Sequence, residues 1–136
     1  MSELVWDQKY SVGVKILDQQ HQSLFELINE ISNIKDDNLN GRQHVGKVFV
    51  VLSNYVNEHF ETEEELFEKT QYPGYERHKA DHDLFREKVA ELKSMFGQGE
   101  MQIQRAVVRF LNRWIIEHIL KIDFEYREHF KKCGIE

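Results

Sequence analysis

Apolar residues recur every three or four positions along most of this 136-residue chain, which is the spacing of one face of an α-helix. Four such stretches are long enough to form helices. The first follows Asp18, a residue type that caps helix N-termini, and the others lie at about 43–69, about 75–96 and around 107–118. Long helices joined by short connections pack as antiparallel neighbours. The pattern therefore predicts an all-α fold, an antiparallel up-down-up-down four-helix bundle.

Residues that favour turns separate these stretches. Asp36 to Asn38 are predicted to end the first helix and Asn40-Gly41 to form a turn, while Tyr72-Pro73-Gly74 and Gly97-Gln98-Gly99 separate the later helices. An irregular N-terminal arm precedes the bundle, and a short C-terminal helix is predicted from Phe124 to Lys132. Because no repeat or compositional boundary interrupts the sequence, residues 1–136 are expected to form a single domain.

Composition and charge argue against several classes of partner. The formal net charge is −6, and no basic stripe is present to meet nucleic-acid phosphates. No apolar run approaches the roughly 20 residues that a membrane-spanning helix needs, and the N-terminus lacks the features of a secretory signal. The single cysteine, Cys133, cannot form an internal disulfide, so a cytoplasmic location is expected.

Histidine and carboxylate side chains fall within the apolar stripes of all four predicted helices. Residues four apart lie on the same face of a helix, so these side chains are directed towards the interior of the bundle. Buried imidazoles and carboxylates are costly unless they are satisfied, and so many of them exceed what mutual hydrogen bonding would satisfy. The pattern predicts a metal site with the ligands His21, His59, Glu63, His78, His82, His118 and Asp123.

Single pairs within this set are weak signals. A His-x-x-x-His pair such as His78 and His82 is more often a surface pair or a satisfied core pair than a metal site. His118 and Asp123 are five residues apart, about 140° around an ideal helix, and would share a site only near a helix end or at a local distortion. The prediction depends on all four helices contributing together.

The number of ligands favours two metal ions over one. One tetrahedral zinc needs four ligands and seven are offered. Five imidazoles, two bridging carboxylates and one bridging oxide or hydroxide would fill all but one of about twelve positions on two octahedral metals. Imidazole and carboxylate together suit iron, copper, zinc or manganese, and the remaining position is suited to a diatomic ligand.

The sequence resembles the hemerythrin family, and its bacterial members in particular, over nearly its whole length. The resemblance is carried by Trp6-x3-Tyr10-x-Val12-Gly13, Ile16-x-Asp18-x-Gln20-His21, His59-Phe60-x2-Glu63-Glu64, Tyr72-Pro73, His78-x3-His82-x2-Phe85 and Trp114-x3-His118-Ile119-x3-Asp123-x2-Tyr126. It implies a non-haem di-iron centre, oxo- or hydroxo-bridged, that binds dioxygen reversibly. Every ligand position of the family is filled here.

The resemblance also implies roles for individual residues. His78, His82 and His118 would hold one iron, His21 and His59 the other, and Glu63 and Asp123 would bridge them. The open position then lies on the two-histidine iron. A dry wall for dioxygen is expected from Phe60, Trp114, Ile115 and Ile119, which neighbour the ligands in sequence, although they are equally ordinary core residues.

Other residues near the ligands have less definite roles. Tyr126 is expected either to reach a bridging carboxylate or to pack in the core. His44 and His129 match no ligand position and are expected to be solvated. The acidic solvent face predicted around the ligand turn of the second helix consists of Glu61, Glu64, Glu65 and Glu68.

Dioxygen storage, delivery or sensing is the favoured function. No residue is left to act as acid, base or nucleophile, so no catalytic residue is expected. The alternatives are a di-iron oxidase or peroxidase and an oxygen- or redox-sensing domain of a larger signalling protein. Ferritin-like di-iron oxidases favour carboxylate-rich sites with two Glu-x-x-His motifs, and neither motif is found in this sequence.

Overall fold

The computed structural model describes residues 4–34, 39–97 and 103–136, and the described residues form the predicted four-helix bundle. A 3₁₀ turn in the N-terminal arm (Gln8–Tyr10) precedes it, and a π turn (His118–Ile122) and a second 3₁₀ turn (Asp123–Tyr126) follow the fourth helix. The helices are α1 (Lys15–Ser32), α2 (Leu39–Thr70), α3 (Tyr75–Gly97), α4 (Ile103–Glu117) and a short α5 (Arg127–Lys132).

The helices pack in a ring in which each contacts its neighbours. The pairs α1 and α2, α2 and α3, α3 and α4, and α1 and α4 all pack together, as expected for an up-down-up-down bundle. No helix in the described part of the chain combines the length and the apolar character that crossing a membrane requires.

Two apolar clusters form the core. The larger contains inward-facing residues of α1 to α4, such as Phe25, Phe49 and Leu111, and the smaller contains Phe67 and Phe130. Along α1, α2 and α3 the buried histidines and Glu63 lie at or next to the junction between these clusters. The apolar faces therefore enclose a layer of polar side chains whose charge and hydrogen-bonding groups apolar residues cannot pair.

Asp18 ties the arm to α1 and does not cap the helix, which corrects the sequence-based expectation. The helix begins three residues earlier, at Lys15. The Asp18 carboxylate instead accepts hydrogen bonds from Ser11 Oγ at 2.6 Å and from the Val12 backbone N–H at 2.9 Å. The arm supplies two donors at one carboxylate, and this placement cannot be read from the helical spacing.

The turn predicted at Asn40-Gly41 is also wrong, because α2 already begins at Leu39. Both residues lie in the first turn of α2, so the helix overrode the local preference of Asn-Gly for a turn. The predicted ends at Asp36–Asn38 and at Gln98-Gly99 lie outside the described residues.

The predicted break at Tyr72-Pro73-Gly74 is confirmed, and it follows a Schellman motif. Gln71 has a φ of 53°, the left-handed region, immediately after the last residue of α2. The Tyr72 N–H donates to the Phe67 carbonyl at 2.9 Å, and the Gln71 N–H donates to the Glu68 carbonyl at 3.3 Å. The rings of Phe67 and Tyr72 pack with centroids 4.9 Å apart, which is the apolar contact typical of this motif.

Candidate metal centre

All seven predicted ligands lie together in the centre of the bundle. Each is at most 2% exposed, and together they come from α1, α2, α3 and the segment after α4. Their ligand atoms fall into two groups, and within each group all atoms lie within 4.8 Å of one another. The three-histidine group consists of Glu63, His78, His82 and His118, and the two-histidine group consists of His21, His59, Glu63 and Asp123.

Glu63 faces both groups through one oxygen. Its Oε1 lies 3.1 Å from His82 Nε2 and 3.7 Å from His78 Nε2 on one side, and 3.4 Å from His59 Nε2 on the other. Glu63 and His59 occupy successive turns of α2, so the regular helix is sufficient to place them on the same face.

Asp123 straddles the two groups with its two carboxylate oxygens. Its Oδ1 lies 2.8 Å from His118 Nε2 and 3.1 Å from His78 Nε2, whereas its Oδ2 lies 3.0 Å from His21 Nε2. This is the arrangement expected of a carboxylate that bridges two metal ions.

The π turn brings His118 and Asp123 onto one face. The Asp123 N–H donates to the His118 carbonyl, which closes a turn of five residues where an α-helix would close one of four. This is the local distortion that their five-residue spacing requires. Such π turns occur frequently at functional sites.

Most of the close contacts among the seven side chains are not hydrogen bonds; the exceptions are His82 Nε2 with Glu63 Oε1 and His21 Nε2 with His59 Nε2. His118 Nε2 and Asp123 Oδ1 are close enough for a hydrogen bond, yet neither atom makes one, and the same holds for His78 Nε2. Glu63 Oε2 also lacks a partner. Buried polar atoms that approach closely without hydrogen bonds are expected where several side chains share a metal ion.

The distance between His21 and His59 agrees with this interpretation. Their Nε2 atoms are 3.0 Å apart. Two imidazole nitrogens at about 2.1 Å from one octahedral metal would be about 3.0 Å apart. The donor set, imidazole and carboxylate without thiolate, suits iron and other first-row metals.

The electrostatics of the site call for positive charge. Burial acts to raise the pKa of Glu63 and of Asp123, but the surrounding imidazoles outweigh it and hold both pKa values below their usual range. Burial lowers the pKa of His59 to about 3, whereas for His78 the contacts with Asp123 and Glu63 outweigh burial and raise the pKa to about 9. Two charged carboxylates in a dry interior need positive charge beside them, which protonated imidazoles or a metal ion can supply.

Two polar residues that the sequence analysis missed contact the outer nitrogens of ligand histidines. Asp81 Oδ2 accepts from His118 Nδ1 at 2.6 Å, which lowers the pKa of Asp81. Gln20 Oε1 accepts from His59 Nδ1 at the same distance. Each of these residues directly precedes a histidine of the set and contacts a histidine on a neighbouring helix, which is the signal that could have found them.

Glu64 also belongs to the surroundings of the site. It was assigned to an acidic solvent face, but its side chain is only 15% exposed and its Oε2 lies 3.6 Å from His82 Nδ1. The Arg86 guanidinium also contacts this carboxylate, with its Nη2 atom 3.5 Å from Glu64 Oε2. The other members of that face, Glu61, Glu65 and Glu68, are exposed as predicted.

Aromatic and aliphatic side chains enclose the histidines. Phe60 stacks on His82 with ring centroids 3.7 Å apart, and Trp114 stacks on His118 at 4.7 Å. Ile115 and Ile119 are fully buried. Phe60 and Trp114 thus stack on rings of the three-histidine group, while Trp6 of the arm approaches His21 at 6.4 Å.

The structure also shows the surroundings of three residues whose predicted roles were less definite: Tyr126, His44 and His129. Tyr126 is fully buried in the smaller core cluster, which confirms core packing, and its hydroxyl lies close enough to the Glu63 carboxylate to affect the pKa of Tyr126, although no hydrogen bond with good geometry joins them. Burial and the charges of Asp123 and Glu63 raise its pKa well above the usual value. His44 is exposed as expected, but the prediction for His129 is wrong, because this side chain is half-buried and bonds to Thr70.

Comparison with known proteins agrees with this geometry. Residues 12–129 match the family model of the hemerythrin HHE cation binding domain. A bacteriohemerythrin of Stenotrophomonas maltophilia (strain R551-3) is 34% identical over 96% of this chain and 84% of its own length. One from Methylococcus capsulatus (strain ATCC 33009 / NCIMB 11132 / Bath) is 30% identical over 93% and 95%, respectively.

Solved structures show the same fold. A crystal structure of wild-type hemerythrin has a TM-score of 0.84 at 29% identity, covering 93% of this chain and 97% of that one. A crystal structure of a hemerythrin mutant has a TM-score of 0.85 at 30% identity, covering 95% and 98%. The bundle and its buried histidine–carboxylate centre define a cation-binding helical protein. The chain belongs to the hemerythrin family.

Proposed function

We propose that this protein binds two iron ions between its helices and uses them to bind dioxygen reversibly. The observation that carries the proposal is the convergence of five imidazoles and two carboxylates, all buried, into two groups that share Glu63 and are straddled by Asp123. In the proposed centre His78, His82 and His118 hold one ion, His21 and His59 hold the other, and Glu63 and Asp123 bridge them.

The protein side chains fix the ligands before any ion arrives. The hydrogen bonds from Nδ1 of His59 and His118 place the proton on that nitrogen, so the Nε2 lone pair faces the centre. When bound, the iron pair supplies the electrons for reversible dioxygen binding. Because all seven proposed ligands are buried, little solvent can reach them.

The surrounding apolar side chains exclude water from this centre. Phe60, Ile115 and Ile119 are fully buried, and Phe60 stacks on His82. Water and protons would promote irreversible oxidation of a ferrous centre, so a carrier or sensor needs such a wall. We include Phe60, Trp114, Ile115 and Ile119 in the proposed dioxygen environment.

The proposal is tested by loading the full chain with ferrous iron without air and measuring iron per chain, then recording the visible spectrum on exposure to air and after deoxygenation. We expect two irons per chain and an absorption that appears with air and disappears when dioxygen is removed. His118→Ala should lose iron, because it removes one of the three imidazoles of the three-histidine group.

His44→Ala is the matched control, since this histidine is exposed and remote from the set. It should retain two irons and the reversible spectrum. A wild-type protein that holds one zinc or no metal would contradict the proposed centre. Steady consumption of dioxygen with a reductant and no lasting absorption would show an oxidase instead.

A further inference from the structure

The outer nitrogens of two ligand histidines have partners of different charge. His118 Nδ1 donates to the carboxylate of Asp81 and His59 Nδ1 donates to the amide of Gln20, both at 2.6 Å. His118 belongs to the three-histidine group and His59 to the two-histidine group. The two groups therefore donate hydrogen bonds of equal length, to a carboxylate anion in one case and to a neutral amide oxygen in the other.

The orientation of the Gln20 amide is fixed by a third residue. The Thr62 hydroxyl donates to the Glu58 backbone carbonyl at 2.9 Å, so towards Gln20 it can only accept. Gln20 Nε2 is the donor to that hydroxyl at 3.1 Å, which leaves Oε1 for His59. The amide is held as a neutral acceptor.

A second carboxylate strengthens the asymmetry. Glu64 Oε2 lies 3.6 Å from Nδ1 of His82, which is also in the three-histidine group. Among the described contacts, Nδ1 of His21, of His78 and of His82 has no hydrogen-bond partner, so Glu64 acts on His82 through its charge and not through a hydrogen bond. Carboxylates beyond the ligands therefore lie beside the three-histidine group alone.

A carboxylate that accepts from a metal-bound imidazole raises the basicity of that ring and its affinity for the metal. An amide orients the ring to the same extent but adds no charge. We propose that Asp81 and Gln20 are positioning residues that make the two sites unequal, so that the three-histidine site holds its ion tightly and the two-histidine site releases its ion first. This inference rests on the proposed two-iron function.

The test is the release of iron from the fully loaded chain. Protein carrying two ferrous ions is mixed without air with an excess of a chromogenic ferrous chelator, and release is followed with time. We expect two phases of equal amplitude in the wild type. Gln20→Glu should slow the fast phase, and Asp81→Asn should accelerate the slow phase, each by about 10-fold or more, the usual range for changes to such partners.

The direction of the Gln20→Glu effect separates positioning from structural damage. A substitution that merely disturbs the fold cannot make an ion leave more slowly. Gln19→Glu and Glu87→Gln are matched controls, because they make the same charge changes at exposed positions of α1 and α3. Both should leave the two phases as they are in the wild type.

The possible results are distinct. A single phase in the wild type, no slowing of the fast phase by Gln20→Glu, or an effect of Asp81→Asn on the fast phase would overturn the inference while leaving the two-iron centre in place. A wild-type chain that does not load two ions would overturn the proposed centre as well. If Asp81→Asn does not load fully, Gln20→Glu decides the outcome.

Discussion

Ile119 is the residue on which the proposed dry wall depends most directly. It is fully buried in the larger core cluster and directly follows His118 in the π turn, so we expect a smaller side chain there to open space near the proposed centre. We predict that Ile119→Ala shortens the lifetime of the air-exposed absorption, because water gains access to the iron. The cavity should also lower the free energy of unfolding by about 2–5 kcal/mol.

Ile116→Ala is the control for Ile119→Ala. Ile116 lies on the same helix but is only partly buried, and it lines an open groove on the outside of α4. Its truncation should leave the lifetime of the absorption unchanged. The two lifetimes are measured by following the absorption in sealed, air-saturated samples, and equal lifetimes would remove Ile119 from the wall.

At the scale of elements, the backbone just after α2 is strained at one residue, and a substitution there should relieve the strain. Gln71 holds a φ of 53°, whereas the same position after α5 is occupied by Gly134 with a φ of 73°. Both helices end in the same pair of hydrogen bonds, since Ile135 donates to Phe130 as Tyr72 donates to Phe67. An L-residue in the left-handed region costs roughly 1–2 kcal/mol, and glycine does not incur this cost.

We therefore predict that Gln71→Gly raises the free energy of unfolding by about 0.5–1 kcal/mol, after allowance for the greater chain entropy of glycine. Thermal unfolding of the two proteins measures this as an increase in Tm of about 2–5 °C. Gln71→Ala keeps a Cβ in the left-handed region and is the control. A gain in Gln71→Ala equal to that of the glycine variant would show that backbone strain is not the cause.

The elements differ in how well the sequence predicted them. Regular helical spacing was enough to place His59 with Glu63 and His78 with His82, because both pairs lie on unbroken α-helix. Bringing His118 and Asp123 together required a π turn, and their spacing indicated that a helix end or a distortion was needed without specifying which. Local signals also failed at Asp18, whose partners Ser11 and Val12 come from the arm.

At the scale of the whole molecule, the two apolar clusters drive folding of the bundle and the polar layer between them supplies its chemistry. The convergence of the seven side chains was predictable because polar residues inside apolar stripes are conspicuous. The outer partners Asp81 and Gln20 were not, since each contacts a histidine on another helix and only the packed bundle defines that contact.

The central claim is that the seven buried side chains bind two irons that together bind one dioxygen reversibly. The most direct measurement is the amount of dioxygen taken up by the fully iron-loaded, reduced protein in a sealed oxygen-electrode cell, followed by its recovery under vacuum. The account predicts one dioxygen bound for every two irons, with all of it recovered. Continued uptake beyond that ratio, or bound dioxygen that cannot be recovered, would contradict it.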